Sequence, residues 1–160
     1  MTDNTYETVP LSALPNAGLL RRLAAMVYDS LLVMAVSMAY GALVLLIQVK
    51  VLGATFAEGE KAQMGTPGFI GLVAVICLFF CLFWRRGGQT LGMRAWRLRI
   101  IGDNGLKPSW QSCLLRCALA PLSLVAAGLG YWWCLLDKQS STLHDRLSHS
   151  RVVVLPKQKK

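Results

Sequence analysis

Asp29 is the residue of this chain best placed to do chemistry, because it stands at the head of a long apolar run, where an ionisable group is costly unless it is paired or wetted. Arg22, Ala25 and Asp29 are spaced by three and four. A helix therefore lines them along one stripe, with Arg22 and Asp29 about 10 Å apart, too far for a direct pair. Each must find its partner elsewhere. Arg116, at the start of a later apolar run, is the expected cation for Asp29, and its alternative is to snorkel to the membrane surface. Two chemistries stay open for Asp29: a proton or cation site, or one half of a structural ion pair. Asp145, between His144 and Arg146, either reaches back to Arg22 or to the arginines after Trp84, or is a solvated charge.

Other constellations are weaker. Cys77 with Cys81, and Cys113 with Cys117, are each one helical turn apart and could offer four thiolates to a metal. Cysteine is equally an ordinary small residue of packed interiors, and the odd total of 5, counting Cys134, does not read as a disulfide framework. No metal or cofactor is expected. His144 and His149 have no thiol or carboxylate at ligand spacing and read as interfacial. No Walker, H-E-x-x-H or G-x-S-x-G pattern occurs, and Gly87–Gly88 alone is too little for phosphate, so no enzyme is expected.

The elements that must position these residues are apolar and long. Hydrophobic residues make up 54% of the 160, more than a soluble domain of this size usually carries. They are concentrated in Ser30–Val49, Thr66–Trp84 and Cys117–Leu136, each free of charge and each about the 20 residues that cross a bilayer. A cleaved signal peptide is not expected, since the first apolar run is long and follows a mostly polar stretch. The net charge of +9 suggests nucleic acid at first sight, but the basic residues flank the apolar blocks. Arg85, Arg86, Arg94, Arg97, Arg99 and Lys107 outweigh Asp103, and the stretch after Leu136 is also basic. The positive-inside rule then places the N-terminus, the 85–107 loop and the C-terminal tail in the cytoplasm and the 50–65 loop outside.

Three straight spans cannot satisfy that assignment. Either the third block breaks at Pro121 and at Gly128–Leu129–Gly130 into two short helices that enter and leave by the cytoplasmic face, or it runs straight and the basic tail lies outside. Residues 1–16 read as a polar tail. Small residues at Ala35 and Ala39, and at Ser37 and Gly41, allow close helix approach. Thr66, Pro67 and Gly68 suit a helix start, and Trp84 suits an interfacial aromatic belt. The alternation of Trp96, Leu98 and Ile100 with Arg97 and Arg99, followed by Gly102–Gly105, predicts a small cytoplasmic β-hairpin.

Ala17, Gly18, Arg22, Ala25 and Asp29, the run Gly88, Gln89, Thr90, Leu91, Gly92, and Leu143, His144, Asp145, Arg146 near the end resemble the RDD family of small prokaryotic membrane proteins, named for one arginine and two aspartates. The resemblance covers Ala17 to Val154. It implies that Arg22 is the family arginine, Asp29 the first aspartate, and Asp145 or Asp137 the second. It also implies a multi-spanning protein for which transport, in some members proton-coupled sodium antiport, is the suggested activity.

The expected architecture is an all-α integral membrane protein with three hydrophobic segments, the third straight or broken, and a small cytoplasmic β-hairpin. Its organisation is a tail at 1–16, an RDD-type transmembrane domain at 17–155 and a basic tail at 156–160. It belongs in the inner (cytoplasmic) membrane, with the bilayer and anionic lipid head groups as partners and no nucleic acid. Two functions are expected: an oligomeric transporter or ion- or proton-coupled pathway using Asp29, Arg22 and Arg116, or a scaffold or assembly factor in which these residues only lock helices, with further copies of the chain or a membrane protein as partner.

Overall fold

The computed structural model describes residues 11–55, 62–103, 105–125 and 142–157. A turn of 3-10 helix, Leu11–Ala13, precedes helix α1, Leu19–Lys50. Helix α2 is Gly65–Gly87, the short α3 is Leu91–Ala95, and strand β1 is Leu98–Gly102. Helix α4, Trp110–Val125, leads toward the last elements, the short α5, Leu143–Leu147, and strand β2, Ser150–Val154.

Two of the described helices, α1 with 32 residues and α2 with 23, are long and apolar enough to cross a membrane. At about 1.5 Å per residue both exceed the ~30 Å hydrocarbon layer. Their outward character is the reverse of a soluble helix. The buried residues of α1 are Arg22, Ala25 and Asp29, while Val27, Leu31, Met34, Met38, Leu43 and Leu46 are exposed. Such an apolar exterior is stable in acyl chains and not in water. Helix α4 has 16 residues with Pro121 inside it, so on its own it is short for a span. The expected break at Gly128–Leu129–Gly130 lies outside the described residues, as do Cys134 and Asp137.

The chain divides into two compact units. In the unit of residues 30–79, the Tyr40 hydroxyl donates to the Gly68 carbonyl at 3.0 Å and Gln48 Nε2 to the Gln63 carbonyl at 3.0 Å. Gly71 leaves the space that Tyr40 Oη fills, and the Met64 methyl lies 3.2 Å from where a side chain on Gly41 would begin. Glycine at 41 and 71 thus leaves room for the Met64 and Tyr40 side chains.

The other unit, residues 1–29 with 80–160, contains the sheet. Strands β1 and β2 pair antiparallel, with Leu98 opposite Val154, Ile100 opposite Val152 and Gly102 opposite Ser150. The expected local hairpin is therefore corrected: the partner of β1 is the C-terminal strand. Buried Leu98, Ile100 and Val152 pack with Ala17, Ala25, Cys81, Trp84, Met93 and Cys113. Ile101 and Val153 form a second cluster with Leu14 and Leu155. The segment before α1 joins the sheet, since Ala17 N donates to Val152 O at 2.8 Å and Val154 N to Pro15 O at 2.9 Å.

These contacts bring together the start of α1, the segment after α2 and the C-terminal strand. In a chain whose α1 and α2 cross the bilayer, all three lie on one face. The segment between Val125 and Thr142, which would decide between a straight and a broken third block, lies outside the described residues. Trp84 is also corrected. It is buried against Phe80, with ring centroids 5.4 Å apart, because a tryptophan that ends an apolar run has the same composition signature whether it faces headgroups or a core.

Candidate functional site

Asp145 is built into a reciprocal cap. Thr142 precedes α5, its N–H donates to Asp145 Oδ2 at 3.2 Å, and the Asp145 N–H donates to Thr142 Oγ1 at 3.3 Å. This arrangement occupies donors that a helix start otherwise leaves open and fixes the carboxylate rotamer. The residue is only 1% exposed.

Two guanidinium groups close on it from different helices. Arg22 Nη1 of α1 lies 2.6 Å from Asp145 Oδ2, and Arg116 Nη1 of α4 lies 2.5 Å from Oδ1. The arginines are 5% and 6% exposed. Burying charges is costly unless hydrogen bonds offset it, and here both arginines find further partners. Arg22 Nε donates to Ala17 O at 2.8 Å, and its Nη1 lies 3.5 Å from Thr142 Oγ1. Arg116 Nη1 donates to Ser150 Oγ at 3.0 Å, and its guanidinium carbon lies 5.8 Å from the centroid of the Trp84 ring. Ser148 Oγ, 2.8 Å from Ser150 Oγ, extends the network into β2.

Asp29 makes a separate set of contacts. Thr90 Oγ1 donates to Asp29 Oδ2 at 2.5 Å, and Gly92 N donates to Oδ1 at 2.9 Å. Among the described residues its partners are thus a hydroxyl and a backbone amide, and the expected pairing of Asp29 with Arg116 is corrected: Arg116 meets Asp145. The physical reason is reach. Asp29 lies two helical turns beyond Arg22, level with the start of α3, whereas the capped carboxylate of Asp145 sits between Arg22 and Arg116.

The glycine-bounded run after α2 can be read residue by residue. Gly88 ends α2 with φ +69, and a Cβ there would stand 2.8 Å from the Ile100 carbonyl oxygen. Only glycine suits both the left-handed backbone and that approach. Gly88 O in turn accepts from Ile100 N at 2.7 Å. Gln89 Nε2 donates to Leu98 O at 2.6 Å. Thr90 caps α3 by accepting from Met93 N at 3.2 Å while donating to Asp29. At Gly92 a Cβ would meet the Ala25 carbonyl oxygen and come within 2.8 Å of Asp29 Oδ1. The motif is therefore a device that brings α3 against the Asp29 carboxylate.

Arg22, Arg116 and Asp145 are thus brought together, and Asp29 joins Thr90 and Gly92. Arg146 is exposed, its N–H donating to Thr142 O at 3.2 Å; the His144 side chain lies outside the described residues. Thr142 and Ser150 escaped the sequence reading, which placed Trp84 at the membrane surface and not beside Arg116. Thr142-x-x-Asp145 has the form of a capping box and could have announced itself; Ser150 and Trp84 carry no such signal. Cys81 Sγ and Cys117 Sγ lie 3.8 Å apart. Among the described residues no group of three or more cysteine, histidine or acidic side chains forms a metal site.

A family model described as the RDD family matches residues 16–149, the span that contains both carboxylates, both arginines and the glycine-bounded run. No curated protein and no solved structure matches the chain.

Proposed function

The chain belongs to the RDD family, and on that premise we propose that it is a multi-pass protein of the cytoplasmic membrane in which Arg22, Arg116 and Asp145 serve as a structural lock for a non-transporting scaffold or assembly component. In this reading Arg22 is the family arginine, Asp29 the first aspartate and Asp145 the second. The observation that carries it is one capped carboxylate held by guanidinium groups from two helices. Arginines that are 5% and 6% exposed and held on Asp145, with Ala17, Thr142 and Ser150 as further partners, are poorly placed to line a pathway. The N-terminus is cytoplasmic, because Arg21, Arg85, Arg86, Lys107, Arg151 and Lys157 belong to the segments that converge on the sheet. On the same face anionic lipid head groups are the favoured surface partners.

The lock is tested by reconstituting wild type and Asp145→Asn and measuring both the recovery of folded protein and the flux of protons and sodium. Lost folding without any wild-type flux supports the scaffold; wild-type flux abolished in a fully folded variant rejects it.

One observation favours a second reading, an oligomeric ion- or proton-coupled pathway through Asp29. Asp29 is 7% exposed, and its carboxylate receives a hydroxyl and an amide rather than a cation among the described residues. A pathway of this kind requires several copies, since so few helices cannot enclose a route. Flux in wild type that disappears in Asp29→Asn with assembly intact would select it.

A further inference from the structure

Cations outside the lock gather where the end of α2 meets the start of α4. Arg85 Nη1 donates to the Pro108 carbonyl at 2.8 Å, and the Arg85 guanidinium carbon lies 5.5 Å from the centroid of the Trp110 ring. These contacts bring Arg85 to Pro108 and Trp110; exposed Arg86 follows Arg85 in the sequence and exposed Lys107 precedes Pro108. Acid is scarce here. From Arg85 to Val125 the one carboxylate in the sequence is Asp103, and its Oδ2 lies 3.3 Å from His149 Nδ1.

The same surface is not that of a water-facing basic loop. Leu106, next to Lys107, is 67% exposed, and Trp110 is 45% exposed. Large apolar side chains among cations are poorly placed against bulk water. They suit the boundary between headgroups and acyl chains, where tryptophan is enriched. Nucleic acid would call for the cations but would have no use for an exposed leucine at this density of charge.

We propose that Arg85, Arg86, Lys107 and Trp110 form a headgroup site for an anionic phospholipid. Arg85 is its positioned member. A guanidinium carries five N–H donors, one is spent on Pro108, and the ring of Trp110 restrains the plane. A restrained fork loses less entropy on gripping phosphate oxygens than a free side chain does. Lys107 and Arg86 add charge that deepens the attraction, and Trp110 and Leu106 set the depth at which the headgroup is met. The site rests on the membrane reading above but not on the Asp145 lock.

The test uses the full chain in phosphatidylcholine vesicles containing a minority of phosphatidylglycerol. Spin-labelled phosphatidylglycerol and phosphatidylcholine are compared for the fraction immobilised at the protein. Wild type immobilises the anionic label preferentially, and Arg85→Gln with Lys107→Gln lowers that preference by about fivefold per cation removed. Lys50→Gln, in the last turn of α1 and at the opposite end of that helix from Arg22, leaves it unchanged. Should Arg85→Gln reduce recovery of embedded protein, Arg86→Gln with Lys107→Gln carries the same expectation. No preference in wild type, a preference retained by the double variants, or an equal loss with Lys50→Gln would overturn the site while leaving the lock untouched. Binding of a single-stranded oligonucleotide that the same variants abolish, with lipid preference unchanged, would assign the patch to nucleic acid and equally overturn it.

Discussion

Thr142 and Asp145 cap one another, with backbone-to-side-chain distances of 3.2 and 3.3 Å, so the carboxylate that receives two arginines is oriented by its own helix turn. Pre-orientation by a neighbour three residues away reduces what the long arginine side chains must do to find it.

Thr142→Ala removes the cap and the hydroxyl near Arg22. A lost N-cap costs about 1 kcal/mol, and this variant should melt below wild type by a corresponding margin. Thr142→Ser retains the hydroxyl and should restore most of the difference. Thermal unfolding of the three proteins in one detergent checks the order.

Gly92→Ala places a methyl against the Ala25 carbonyl and the Asp29 carboxylate. Because backbone rather than a flexible side-chain end is in the way, overpacking should cost about 1–3 kcal/mol or more. Gly18→Ala meets nothing within 4 Å and should be tolerated. Yields of folded protein and melting temperatures separate the two.

Thr90→Val removes both the cap of α3 and the hydroxyl donated to Asp29. A buried acceptor left short of a donor costs about 1–3 kcal/mol. Thr90→Val with Asp29→Leu should cost less than the sum of the two single changes, because no buried carboxylate is left short of a donor, while Gly92 N and Met93 N still lose their acceptors; a double-mutant cycle on melting measures the coupling.

Cysteines introduced at Asp103 and Lys157, in a background without the native cysteines, should label with an impermeant maleimide from the same side of intact vesicles. Labelling from opposite sides would break the pairing of β1 with β2 across the end of the helices.

Much of this arrangement is legible in the residues themselves. Charge-free runs announce α1 and α2, and spacing by three and four places Arg22, Ala25 and Asp29 on the stripe that is the buried face of α1. Partner choice is legible only in part. Arg22 is one of the mates the sequence offers Asp145, and that pair forms across 123 residues, but nothing local signals that Arg116 joins it or that Thr90, 61 residues from Asp29, supplies the hydroxyl. Strand β1 shows its alternation and turn residues but not that the turn would be bypassed, because β2 offers Val152 and Val153 to the core and a neighbouring hairpin arm, interrupted by Pro108, does not.

The central claim is that Asp145 holds α1 and α4 together through two arginines. Its most direct test is the melting temperature of Asp145→Asn against wild type in the same detergent. Removing one partner of a buried ion cluster costs about 3–5 kcal/mol, so the variant should melt far below wild type or fail to fold. An unchanged melting temperature would contradict the lock.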